Sequence, residues 1–166
     1  MSTDAIVVLK EDHKTVKRLF KEFQAAQDGP AATKARIVKQ ILSELTVHTY
    51  LETEVMYPEV RRLLPDLDED ILESYEEHHV ADVLCMELFT MTPDDERFDA
   101  KVTVLIESVT HHIDEEEQDW FPKVREGLGR NQLQEIGARM QQLRPDAPTT
   151  PAEPKALKKA LDAMRA

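Results

Sequence analysis

Two segments of the chain carry the same chemically able residues in the same order. Residues 46–58 read TVHTYLETEVMYP and residues 110–122 read THHIDEEEQDWFP. His48, Glu52, Tyr57 and Pro58 match His112, Glu116, Phe121 and Pro122 without a gap. An α-helix turns about 100° per residue, so a four-residue step is one turn plus roughly 40° and stacks each imidazole beside its carboxylate on one face. Imidazole nitrogen and carboxylate oxygen are ligands for first-row metal ions. Two such pairs on facing helices would present two imidazoles and two carboxylates to a common centre.

The apolar residues around each pair test this. Val38, Ile41 and Leu45 lead at helical spacing into His48, Glu52 and Val55, and Phe98, Val102, Leu105 and Val109 lead into His112, Glu116 and Trp120. The polar pairs therefore fall on the core stripes. A buried carboxylate is costly unless it is paired or bound to a cation. For a single pair, a His–Glu hydrogen bond on a helix surface is the simpler reading. Two aligned pairs on two core stripes favour a metal site.

These pairs need helices to position them. The spacing predicts a first helix over residues 4–27, with Asp4 as N-cap and a stripe of Ile6, Leu9, Val16, Phe20 and Phe23 that includes His13. Asp28-Gly29-Pro30 ends it. A second helix is expected over 31–64, with Pro58 kinking it or ending it early. A third is expected over 68–92, with the stripe Val80, Ala81, Leu84, Leu88 and Met91. Of the adjacent His78 and His79, His78 lies nearer that stripe, and Glu77 nearer still, as a rival ligand or a partner of a ligand. A fourth is expected over 95–126, with Pro122 acting as Pro58 does, His112 inward and His111 on the surface. A short amphipathic helix follows at 131–143.

The expected architecture is all-α, an antiparallel up-down four-helix bundle over residues 4–126. Residues 127–144 form a short capping helix, and residues 145–166 a Pro-rich linker with a basic amphipathic tail. The length of 166 residues fits one domain. The net charge of −12 argues against nucleic acid or an anionic membrane as a partner. The single cysteine, Cys85, excludes an intramolecular disulfide framework and a cysteine-based zinc site. No signal-peptide pattern or bilayer-length apolar stretch is present, and a cytoplasmic location is expected.

The inward set is then His13, His48, Glu52, His78, His112 and Glu116. One zinc ion needs four ligands and would leave two of these without a role. Six nitrogen and oxygen donors without a thiolate suit a pair of first-row ions bridged by the two carboxylates, with iron or manganese fitting better than magnesium.

At EDH (Glu11 to His13), HTYLETEVMYP (His48 to Pro58), EEHH (Glu76 to His79) and HHIDEEEQDWFP (His111 to Pro122), the chain resembles the hemerythrin-like proteins, the HHE cation-binding family. The resemblance covers about residues 6–126. It implies an antiparallel four-helix bundle with two non-haem iron ions, oxo- or hydroxo-bridged, and His13, His48, Glu52, His78, His112 and Glu116 as ligands. The oxygen carriers of the family have one more histidine, one turn before the third-helix ligand, where this chain has Ser74. Many bacterial relatives also depart from the carriers' ligand set, and the resemblance is to that group. The resemblance therefore implies a small-molecule ligand, namely dioxygen, peroxide or nitric oxide, and a role in redox or oxidative-stress response. Peroxide decomposition of catalase-like type, or nitric-oxide chemistry, is the possible enzymatic activity. The alternatives are an oxygen or iron sensor or store without turnover, and a helical interaction module with a structural metal site.

Overall fold

The computed structural model describes residues 3–151. Four long helical runs make the bundle. The first is α1 (Ala5–Ala25). The second joins α2 (Ala31–Leu51), a π-helical turn (Glu52–Met56) and α3 (Tyr57–Leu63). The third is α4 (Asp68–Phe89). The fourth joins α5 (Phe98–Glu115), a second π-helical turn (Glu116–Trp120) and α6 (Phe121–Gly127). A shorter helix, α7 (Arg130–Leu143), follows. The basic tail and most of the second half of the linker lie outside the described residues. No helix among those described is long and apolar enough to cross a membrane.

Asp4 caps α1 as expected, its carboxylate accepting from the N–H groups of Ile6 and Val7 at 2.9 and 3.2 Å. Arg125 of α6 reaches the same carboxylate at 3.1 and 3.2 Å and ties the fourth run to the start of the first. α7 packs on α1 at this end. Gly137 permits the contact, because a Cβ there would fall 1.5 Å from the carbonyl oxygen of Thr3.

Pro58 and Pro122 neither end nor break their runs. A proline in an α-helix lacks the N–H its turn requires, and its ring clashes with the carbonyl four residues back. Here the turn before each proline widens instead. The N–H of Tyr57 bonds to the carbonyl of Glu52, and that of Phe121 to the carbonyl of Glu116, each five residues back. Helices α3 and α6 then continue, with the proline in the first turn, where no donor is needed. Single π turns of this kind occur mostly within α-helices, frequently at functional sites.

The inward face of α4 also differs from the expected stripe. Ile71, Ser74, His78, Ala81, Cys85 and Leu88 are buried, whereas Val80 is 50% exposed. Val80 and Ala81 are adjacent, about 100° apart on the helix, so both cannot face inward. The stripe runs through His78 and Ala81 by steps of three and four.

Two apolar clusters fill the bundle. One holds Val16, Phe20, Phe23, Ile41, Leu45, Cys85 and Leu105. The other holds Ile6, Leu9, Leu51, Tyr57, Ile71, Trp120 and Phe121. The first three long runs cross from one cluster to the other at a histidine, His13 between Leu9 and Val16, His48 between Leu45 and Leu51, His78 between Ile71 and Ala81, and the fourth crosses between Ile113 and Trp120, at Glu116. The polar residues form a belt across the middle of the core.

Candidate metal centre

All six sequence-predicted donors meet in this belt, and all are buried. Glu52 is 0% and Glu116 2% exposed. Each carboxylate lies between a histidine of the first helix pair and one of the second. Glu52 Oε1 is 2.8 Å from His48 Nε2 and 3.4 Å from His78 Nε2. Glu116 has Oε2 3.2 Å from His13 Nε2 and Oε1 3.2 Å from His112 Nε2. The donors fall into two overlapping groups, one of Glu52, His78, His112 and Glu116, the other of His13, His48 and Glu116. Within each group the ligand atoms lie within 4.8 Å of one another. Glu116 belongs to both.

Beyond these close His–Glu contacts, many of these atoms make no well-formed hydrogen bond: Nε2 of His13 and His48, both oxygens of Glu52 and Oε2 of Glu116. Buried polar atoms without partners are expensive and rare. Their convergence at one point is what a cation-binding cluster requires, and the donor set fits first-row ions.

The electrostatics agree. Burial disfavours charge throughout the belt, yet Glu52 and Asp12 raise the His48 imidazole to about 10. Glu116 and Glu77 likewise hold His112 well above its ordinary range against the cost of burial. Burial and the charge of Glu116 oppose ionisation of Glu52, but His48 and His78 leave its carboxyl below the usual range. His112 and His13 hold Glu116 well below it, again against burial. Protons on imidazole thus offset the carboxylates where cations would otherwise do so.

His78 joins the cluster and its neighbour His79 does not; His79 is half-buried outside it. His111 is 66% exposed and pairs with Glu115 at 3.0 Å. Glu77 does not enter the donor groups around Glu116. Its carboxylate accepts from Nδ1 of His112 at 3.1 Å, with that nitrogen protonated. Asp12 does the same for Nδ1 of His48 at 3.1 Å. Both leave Nε2 aimed at the centre, the arrangement that fixes tautomer and ring orientation in metal-bound histidines. Asp12-His13 and Glu77-His78 are therefore a second internal repeat: the histidine faces the centre, and the acid before it orients a histidine on the neighbouring helix.

Tyr57 is the residue that helical phase misses. Its buried phenol donates to Glu116 Oε1 at 2.7 Å and lies 3.2 Å from His78 Nε2. Burial and the two carboxylates push the phenol well above its ordinary range, so it holds its proton. Phe121, at the matching position of the repeat, stacks on His13 at 5.7 Å between ring centroids and an interplanar angle of 11°. The aligned aromatic–proline pairs were the available signal, since only one of them carries a hydroxyl.

Among the described residues, a chamber and a groove reach the belt. A chamber of about 30 Å³ is lined by the four buried histidines and by Val16, Leu45, Ala81, Cys85 and Val109, among others. On the α4–α5 side, a wider groove of about 250 Å³ descends past Ser74 to His112 and Glu116.

The model of the hemerythrin HHE cation-binding domain matches residues 4–124. A DNA nickase from Nostoc sp. is 30% identical over 128 residues, which make up 77% of this chain and 35% of that protein. The chain thus spans about a third of that relative's length. An uncharacterised hemerythrin-like protein of Schizosaccharomyces pombe is 25% identical over 140 residues, covering 84% of this chain and 68% of that one. In three dimensions the chain is similar to the crystal structure of an HHE cation-binding domain-containing protein from Mycobacterium kansasii. The TM-score is 0.70 at 24% identity, over 86% of this chain and 88% of the other, a likeness of fold. With its four-helix bundle and its buried His/Glu cluster, the chain belongs to the hemerythrin HHE cation-binding family.

Proposed function

We propose that the belt holds two iron ions and that the protein binds, and reacts with, a small oxidant: dioxygen, hydrogen peroxide or nitric oxide. The observation that carries this reading is the convergence of buried, unpartnered donors in two groups that share Glu116. His13, His48, Glu52, His78, His112 and Glu116 would hold the ions, and Glu116 is the donor common to both groups. When bound, iron supplies one-electron redox changes and an exchangeable position for a small ligand.

The rest is the work of the chain. Asp12 and Glu77 hold His48 and His112 with Nε2 inward. Tyr57 keeps a proton on Oη beside Glu116, within the donor set. A reaction that cleaves an O–O bond consumes protons, and this phenol is placed to hold one there. The chamber, at about 30 Å³, has room for only a small molecule of one or two heavy atoms. Ser74 leaves open the side of the centre where an oxygen carrier of the family has a further histidine. This favours peroxide decomposition or nitric-oxide chemistry over reversible oxygen carriage. The nicking activity of the Nostoc relative is not carried over, because a net charge of −12 opposes docking on a phosphate backbone.

The test is metal analysis of the isolated protein with a peroxide assay on graded iron loadings. About two irons per chain, with oxygen evolved from peroxide in proportion to iron, is the expected result. Stoichiometric zinc with no affinity for iron would overturn the metal assignment. Clean repeated recovery of the reduced form after exposure to dioxygen, without peroxide turnover, would decide for a carrier.

A further inference from the structure

The two halves of the repeat differ in how they are covered. On the α1–α2 side, Asp12, the acid that orients His48, is itself closed over by Arg144 at 3.0 Å, and α7 packs against α1. On the α4–α5 side, Glu77, the acid that orients His112, lines an open groove. The mouth of that groove carries Asp70, Glu73, Glu115 and Asp119. Its floor is His112 and Glu116, and Glu116, 2% exposed, has an Oε2 without a hydrogen-bond partner. Glu77 and Glu115 also place donor atoms within 4.8 Å of one another and of His111 at the surface. Carboxylates thus run without interruption from solvent to the buried donors. The one cation bonded across the mouth among the described residues is Lys123, 2.9 Å from Asp119 and 3.4 Å from Asp70.

We propose that this acidic groove is the loading route by which divalent metal cations reach the buried donors, with Lys123 competing for its mouth. The proposal rests on the metal-centre reading above. Like charges lining a cleft raise the local concentration of a counter-ion and its rate of association, an effect that salt screens. The groove repels anions and is lined chiefly by carboxylates, with Trp120 its one large apolar side chain. The chamber on the other side of the histidines is mostly apolar. Small neutral ligands therefore have a second, less polar approach.

The experiment uses the full-length metal-free protein mixed with ferrous iron under anaerobic conditions. Trp120 is the chain's single tryptophan and lines the groove, so its fluorescence follows uptake. Iron per chain is measured at the end point. Combining Glu73→Gln with Asp119→Asn should slow uptake about two- to fivefold at low salt, with the final iron content unchanged and the difference shrinking as salt is added. Lys123→Gln should accelerate uptake by a similar factor. Glu96→Gln, in the loop between α4 and α5 at the other end of the bundle, should match the wild type. Equal rates in all variants, an equal slowing in Glu96→Gln, or a lower final iron content in the groove variant would each overturn the route. If the wild type takes up no ion, the metal-centre reading itself fails and the route falls with it.

Discussion

Tyr57 and Glu116 join the two copies of the repeat: the phenol of the first copy donates to the carboxylate of the second across 2.7 Å, fully buried. Tyr57→Phe keeps the ring, and Phe121 shows that the matching position accepts a phenylalanine. The substitution leaves Glu116 Oε1 with one buried hydrogen bond fewer, a loss of about 1–3 kcal/mol in the metal-free protein. In the loaded protein we expect near-normal iron content and at least a tenfold fall in peroxide turnover, measured as oxygen evolved per iron. Unchanged turnover would assign the hydroxyl a packing role only.

Asp12 and Glu77 act on histidines they do not precede, each bonding the Nδ1 of an imidazole on the adjacent helix. Losing such an orienting acid typically costs about 10–100-fold in metal affinity. Asp12→Ala and Glu77→Ala should therefore both weaken iron binding, as read by competition with a chelator of known affinity. Asp12→Ala also removes the partner of Arg144, so its effect should be the larger. Affinities equal to wild type would remove both residues from the site.

How far these roles were legible depends on the helical repeat involved. His48–Glu52 and His112–Glu116 are four apart, and a regular helix places them together. So do the apolar stripes that carry His13 and His78 inward. Tyr57 is five residues after Glu52, about 140° away on a regular wheel, which would turn it from the site. The widened turn between them removes that offset, and the proline that follows shows why the turn widens. A proline in a helical pattern was legible as a disturbance, but not which of kink, stop or π turn would accommodate it. Val80 was misplaced for a related reason, since apolar character alone does not choose between neighbours on one helix. Asp12 and Glu77 were readable as an acid–histidine dipeptide present in both halves. Their partners were not, because Asp12 meets His48 and Glu77 meets His112 only once the helices pair.

Helical phase makes a direct test of the donor set. Glu52 and Glu116 are buried at the centre, while Glu54 is exposed and Glu117 is half-buried, 3.8 Å from Nδ1 of His13. Glu52→Ala and Glu116→Ala should each lose iron, Glu54→Ala should keep it, and Glu117→Ala should lose little. His78→Ala should lose more than His79→Ala. Iron per chain after purification under identical loading decides the matter, and equal content across the set would place the site elsewhere.

Metal removal should weaken the bundle without dissolving it. The two apolar clusters persist on either side of the belt, but the donors between them are left to one another and to protons. A ligand that binds only the folded state stabilises it by about 2.7 kcal/mol for each site at a free concentration one hundred times Kd. The iron-loaded protein should therefore melt well above the chelator-treated one, while both keep a helical far-ultraviolet spectrum. Coincident melting curves would show that the donors satisfy one another, and that the cluster is structural.

The chamber supplies the last test. Ala81 lines it from α4, is buried, and is not itself one of the donors. A valine there adds two methyl groups to a space of about 30 Å³ that holds little more than a water molecule. Overpacking typically costs about 1–3 kcal/mol, which a bundle with two apolar clusters can absorb. Ala81→Val should then keep its iron and its optical spectrum while reacting several-fold more slowly with peroxide or nitric oxide, as followed by stopped-flow absorbance. Loading with iron should be unaffected, because the acidic groove lies on the other side of His112. A variant that reacts at the wild-type rate with the chamber filled would mean that small ligands also arrive through the groove past Ser74.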